Sequence, residues 1–359
     1  MAEPKENRWQ LRRYYERRDE EGRRPQGEPQ QEEAGSEPSE GLAAPSAQED
    51  AELGVDPQTP SRGPLLADNL EERTGNYLMA FGLPGSGKTT FQSFLAYYVT
   101  HIGPFEAHPQ VAPEESAQGW EPMVIFNDWM RIWGEGRFPP ANPVDEGEIR
   151  ELSFRVRPLQ GSGQTVDFSF LEASGELMTQ VVADRLRDPT LIETLNRYFA
   201  NEKLRMLLVL VVDPEREAEN DILFQNLLAF LDLHFPKLRQ RTSLGVLVSK
   251  PHEALRRLQE AEPAFERYAE LSAELCECYV QRFAPRTYRI FDGWPDQQRV
   301  QLMTLHLGEL ATAAEDQSVR LERADYADIH DIFAWIYEQF TGGRPEATGW
   351  QRLLQWLRP

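Results

Sequence analysis

The stretch Gly82-Leu83-Pro84-Gly85-Ser86-Gly87-Lys88-Thr89 has the spacing G-x-x-x-x-G-K-[ST] and stands between an apolar run, Tyr77 to Phe81, and a helical pattern from about Lys88 to Thr100. Glycines at these positions let successive backbone N–H groups face an anion, and the helix start adds its partial positive charge. Lys88 then reaches β- and γ-phosphate oxygens, while the Thr89 hydroxyl ligates Mg2+. The chain has only five lysines, Lys5, Lys88, Lys203, Lys237 and Lys250, against 33 arginines, which makes a lysine at this position by chance improbable. Gly82, Pro84, Gly85, Ser86, Gly87, Lys88, Thr89 and Thr90 are therefore the candidate phosphate-side residues, with Thr89 also the candidate metal ligand. A loop of this kind requires a strand before it and a helix after it, so the expected fold is α/β.

The rest of the chain has the matching texture. From Asn76, apolar strands alternate with amphipathic helices, the pattern of a mostly parallel sheet flanked by helices. After a second apolar run, Pro122 to Asn127, the runs Glu148 to Arg157 and Gln164 to Leu171 are joined by Pro158 to Gly163 and read as an antiparallel hairpin. Helical pattern covers Glu176 to Glu202, and the run Leu204 to Val212, apolar but for Arg205, suits a central strand buried on both faces. Asp221 to Phe235 reads as helix, Leu244 to Ser249 as strand, Glu253 to Arg282 as helix and Thr287 to Phe291 as a last short strand. Helices are expected at about 296–314 and 328–340. The expected division is an acidic disordered tail over 1–74, an NTPase domain over 75–295 and a helical extension over 296–359.

Charge and cysteine usage narrow the setting. With 59 acidic against 38 basic residues the net charge is −21, which repels nucleic-acid phosphates over most of the surface. No nucleic-acid partner is expected. The two cysteines, Cys276 and Cys278, are spaced to point to different helix faces and support neither a mutual disulfide nor a zinc site, which suits a reducing, cytoplasmic location. His234, His252, His306 and His330 lack metal-ligand spacing. No apolar run approaches the roughly 18–20 residues of a spanning helix. Residues 1–24 mix eight basic with six acidic residues, whereas 25–72 carry twelve acidic residues and Arg62 as the one base. That tail and the Trp350 to Leu357 segment are the places where a protein partner would dock.

After its second strand the hairpin runs into Leu171-Glu172-Ala173-Ser174-Gly175-Glu176. With the loop at 82–89, this order resembles the G domains of the TRAFAC class of GTPases, and within it the bacterial double-GTPase-like families whose second switch reads D-x-x-G-E. The resemblance covers about residues 76–292. It implies a nucleotide-binding regulatory protein that holds Mg2+ and GTP, or ATP. It also implies that Glu172 holds Mg2+ through a water, that the Gly175 N–H meets the γ-phosphate and that Glu176 orients the attacking water. Several positions depart from the pattern. Glu172 replaces an aspartate, and no threonine occurs between His101 and Gln164 to serve the first switch. In the loop Gly136 to Pro143, Asn142 takes the threonine's place and Arg137 is the candidate internal arginine finger. In the base-reading element, Ser249-Lys250-Pro251-His252-Glu253, Lys250 fits the expected lysine, but a histidine occupies the position of the acid.

Two other readings compete. Met206 to Asp213 has the form of a Walker B strand, with Asp213 as magnesium acid and Glu215 as base of an ATPase. A pseudo-GTPase would instead bind nucleotide as a structural ligand while its tail and terminal helix contact a partner. The hairpin and the E-x-x-G-E element favour the G-domain order.

Overall fold

The computed structural model describes residues 74–110, 120–140, 149–159, 163–173, 189–312 and 318–345. The tail up to residue 73 and the Trp350 to Leu357 segment lie outside them. Short helical turns aside, the elements in chain order are β1 (Gly75–Phe81), α1 (Lys88–Tyr97), β2 (Phe105–Gln110), α2 (Trp120–Gly134), β3 (Ile149–Pro158), β4 (Val166–Ala173), α3 (Pro189–Ala200) and β5 (Leu204–Val212). There follow α4 (Glu217–His234), β6 (Ser243–Val248), α5 (Pro251–Ala261), α6 (Ala273–Phe283), α7 (Pro285–Asp292), β7 (Val300–Thr304), β8 (Gly308–Thr312), β9 (Val319–Ala324) and α8 (Ala327–Thr341).

Seven strands form one sheet in the order β2-β3-β4-β1-β5-β6-β7. β1 pairs in parallel with β4 and β5, and β5, β6 and β7 continue in parallel, whereas β3 runs antiparallel to β2 and β4. The fold is thus the expected α/β class, a mostly parallel sheet with flanking helices, and the expected hairpin is the β3–β4 pair, with Arg155 opposite Asp167. Leu78 and Ala80 face the layer formed by α1, α2 and α8, in a core that includes Phe91, Phe94, Trp133, Phe168 and Phe333. Residues of opposite parity, such as Tyr77, face the other side, where the Tyr77 ring meets Tyr198 of α3 at 5.6 Å. Because every apolar residue of β5 is buried, the strand sits at the centre with helices on both faces.

The carboxyl half differs from expectation. Thr287 to Phe291 lies in helix α7, and the last strand of the sheet is β7. Pro285 presets the first turn of α7. Its first N–H groups are taken by Asp221 of α4: Arg286 N donates at 3.2 Å, Thr287 N at 2.7 Å and Thr287 Oγ1 at 2.8 Å. Ala284, at the N-cap, has no side chain able to do this. The expected helix at 296–314 is β7 followed by the start of the β8–β9 hairpin, and the Pro122 to Asn127 run is part of α2. The helical stretch from Glu253 to Arg282 is broken into α5 and α6 around Pro263. A boundary at 295 would separate β7 from the sheet in which it pairs and α8 from the core in which it packs.

Asp221 supplies a stability test. It is 5% exposed and its carboxylate accepts three hydrogen bonds, so Asp221→Ala leaves buried donors unpaired and is expected to cost about 3 kcal/mol. Thermal unfolding should show a drop of roughly 6–12 °C at about 2–4 °C per kcal/mol for a domain of this size. A change below about 1 °C would show that α7 does not depend on this cap.

Candidate nucleotide-binding site

The loop after β1 has the backbone that its glycines predict. Gly85 and Gly87 have φ of 77° and 94°, a region that L side chains avoid. Gly82 is required for a different reason: a Cβ there would stand 2.5 Å from Ser86 Oγ and 2.9 Å from the Val211 carbonyl oxygen of β5. The loop therefore turns tightly against the neighbouring strand and delivers Gly87 as the N-cap of α1. Gly87 provides no side-chain cap and the first turn of α1 holds no acid, so neither blocks an anion at the helix start.

Lys88 folds back across the loop, its Nζ donating to Gly82 O and Leu83 O at 2.9 Å each. Thr89 and Thr90 follow on the first turn of α1, both half-buried. Ser86 is fully buried, and its Oγ has no hydrogen-bond partner among the described residues. An unpaired buried hydroxyl in a cradle that a Cβ would fill fits an oxygen-rich ligand. The donor set of backbone N–H groups, one ammonium and a threonine hydroxyl suits the phosphates of a Mg2+–nucleotide complex. Among the described residues no group of three or more His, Cys, Asp or Glu is placed to hold a metal by itself.

On one side of β1, the register Met79 with Leu171 brings the end of β4, and so the backbone of Glu172, beside the start of the loop. Gln92 of α1 donates from Nε2 to Leu171 O at 3.4 Å and ties the two elements together. Gly175, Glu176 and Asn142 lie outside the described residues. Arg137 lies in the turn after α2, exposed and ion-paired with Glu135. The preceding residue, Gly136, accepts at its carbonyl from Leu321 N of β9 at 2.8 Å. No contact among the described residues brings Arg137 to the loop 82–89.

On the other side stands a charged cluster that sequence reading only half found. Lys250 Nζ is 3.0 Å from Asp213 Oδ1 and is also hydrogen-bonded to Glu215. Burial disfavours its charge, but the hydrogen bonds that it donates to Glu215 and Asp213 outweigh that and hold the ammonium above the usual lysine range. Asp213 is 3% exposed and also accepts from Glu215 N at 3.1 Å. Arg216, which follows Glu215, donates to Pro84 O at 3.4 Å and so links this cluster to the loop 82–89. The Asp213-Pro214-Glu215-Arg216 run after an apolar strand was the available signal; that Asp213 faces Lys250 follows only from β5 and β6 being neighbours.

The last strand of the seven-stranded sheet is β7, and the segment following it is Leu305 to Leu307. Here His306 Nδ1 and N lie 2.7 and 2.9 Å from Asp328 Oδ2, and Thr304 Oγ1 donates to the same oxygen at 2.9 Å. Burial opposes the His306 charge, yet its hydrogen bond to Asp328 holds the imidazolium above the usual histidine range. Cys276 and Cys278 of α6 are buried free thiols, and burial pushes Cys276 far above its ordinary range. Among the described residues no helix is long and apolar enough to cross a membrane.

No protein-family model and no curated protein matches the chain. Among solved structures it is similar to the signal recognition particle receptor SRb-GTP/SRX complex from Chaetomium thermophilum, at 11% identity and a TM-score of 0.31, over 65% of this chain and 90% of that chain.

Proposed function

We propose that the chain binds a nucleoside triphosphate with Mg2+ in the loop 82–89 and works as a GTPase-like regulatory protein whose hydrolysis is slow or partner-dependent. The observation that carries this reading is the loop itself. Positive φ at Gly85 and Gly87, the close approach at Gly82 and the unpaired Ser86 hydroxyl fit a phosphate cradle between β1 and α1. In this reading Gly82, Pro84, Gly85, Ser86 and Gly87 supply the backbone, Lys88 the positive charge and Thr89 the metal-side hydroxyl, with Thr90 completing the turn. Bound Mg2+ would neutralise charge on the phosphates. Glu172, Gly175 and Glu176 serve the metal and γ-phosphate side, and Lys250 the base side. A protein partner would engage through the tail or the terminal segment, in a cytoplasmic setting.

The ATPase alternative assigns Asp213 to the metal, but that carboxylate is occupied by Lys250 Nζ and the Glu215 N–H. Glu172 ends the strand on the opposite side of β1, continuing from the antiparallel hairpin. Magnesium titrations of nucleotide binding separate the two. Glu172→Gln is expected to raise the Mg2+ concentration for half-maximal binding by about tenfold, as loss of an outer-sphere metal partner does. Asp213→Asn should loosen Lys250 and lower affinity without changing that requirement. The reverse order would assign the metal to Asp213 and favour an ATPase.

A further inference from the structure

With phosphates held by residues 82–89, the reading on which this step rests, the remainder of a nucleotide lies along the carboxyl edge of the sheet. The last glycine of the cradle abuts the loop after β6, since a Cβ at Gly87 would stand 3.1 Å from Ser249 Cβ. The next residue is Lys250. Its ammonium is fixed by Asp213 at 3.0 Å and by Glu215, and its side chain remains 31% exposed. A lysine anchored at its tip by two carboxylates presents its methylene stem as an ordered apolar strip. The flat face of a base packs on such a strip whatever the substituents on its edge.

Reading the edge requires other chemistry. The N1–H and N2–H of guanine need paired acceptors of the kind a carboxylate supplies. Among the described residues, the carboxylates beside Lys250 are already engaged. Asp213 and Glu215 hold the ammonium, and Glu253 accepts from Arg256 Nε at 3.0 and 3.1 Å. Beside the loop after β7, Asp328 of α8 is taken by His306 and Thr304. His252 is exposed, and an imidazole cannot accept two hydrogen bonds side by side. With Lys250 on the base side as already assigned, we propose that the site takes guanine and adenine nucleotides with little discrimination.

Displacement of a fluorescent GDP analogue from the full chain by GDP, ADP and inorganic tripolyphosphate tests this. GDP and ADP are expected to compete within about tenfold of each other, whereas an edge-reading pocket separates such pairs by about ten-thousandfold. Lys250→Ala should weaken both nucleotides by a similar factor, about tenfold for a lost stacking surface, and leave tripolyphosphate unchanged. Glu215→Gln, at an exposed position, should weaken both in the same sense and keeps the test open where Lys250→Ala does not fold. A preference for one base above about a hundredfold overturns the proposal while the phosphate site stands. Equal nucleotide affinity in wild type and both variants does the same. Failure of nucleotides and tripolyphosphate alike to bind removes both the phosphate site and this proposal.

Discussion

Purified protein without a partner is expected to bind Mg-nucleotide and to hydrolyse it orders of magnitude more slowly than a G domain with a complete set of catalytic parts. Phosphoryl transfer is catalysed mainly by positioning and by stabilising charge on the transferred group. The resemblance implies a first-switch threonine, and none occurs between His101 and Gln164. In the proposed reading Glu176 orients the attacking water, and its carboxylate would meet a like-charged phosphate. Arg137, the candidate internal arginine finger, is ion-paired with Glu135 in an exposed turn. An arginine supplied in trans contributes about 10³–10⁵-fold in related chemistry, which sets the size of the deficit that a partner would restore. A single-turnover assay, with Lys88→Ala as the control for contaminating activity, measures the rate. Fast partner-free hydrolysis abolished in the control would show that the altered switch residues are competent.

The backbone of the loop 82–89 was legible because its residues answer separate requirements. Gly85 and Gly87 take positive φ, Gly82 admits no Cβ, and Lys88 and Thr89 have few chemical substitutes. β5 was legible for a similar reason, since only a strand covered on both faces tolerates a run of its length that is apolar but for Arg205. α7 was misread because Thr-Tyr-Arg-Ile-Phe alternates like a strand, while its cap, Asp221, lies 66 residues from Thr287. β2 gave no apolar signal because it is an edge strand containing Glu106, His108 and Pro109, with Glu106 paired to Arg157 across the hairpin. β7 is short and half-buried, and its place is set by hydrogen bonds to β6. The base side shows the same limit: Lys250 stood out as one of five lysines, but its partners come from the neighbouring strand's loop.

The central claim, that residues 82–89 hold the phosphates of a nucleotide, is tested most directly by titration calorimetry of the full chain with Mg-GTP and Mg-ATP, beside Lys88→Ala. The ammonium of Lys88 already lies across the mouth of the loop on Gly82 O and Leu83 O, positioned to exchange those carbonyls for phosphate oxygens. Removing it takes away charged hydrogen bonds worth about 1.5–3 kcal/mol each, so affinity should fall by roughly 10- to 150-fold or more. The side chain is half-buried rather than part of the core, and the variant should unfold at nearly the wild-type temperature. The account predicts binding by the wild type and a loss of this size in folded Lys88→Ala. Equal affinity in the two proteins, or no binding of either nucleotide by the wild type, would contradict it.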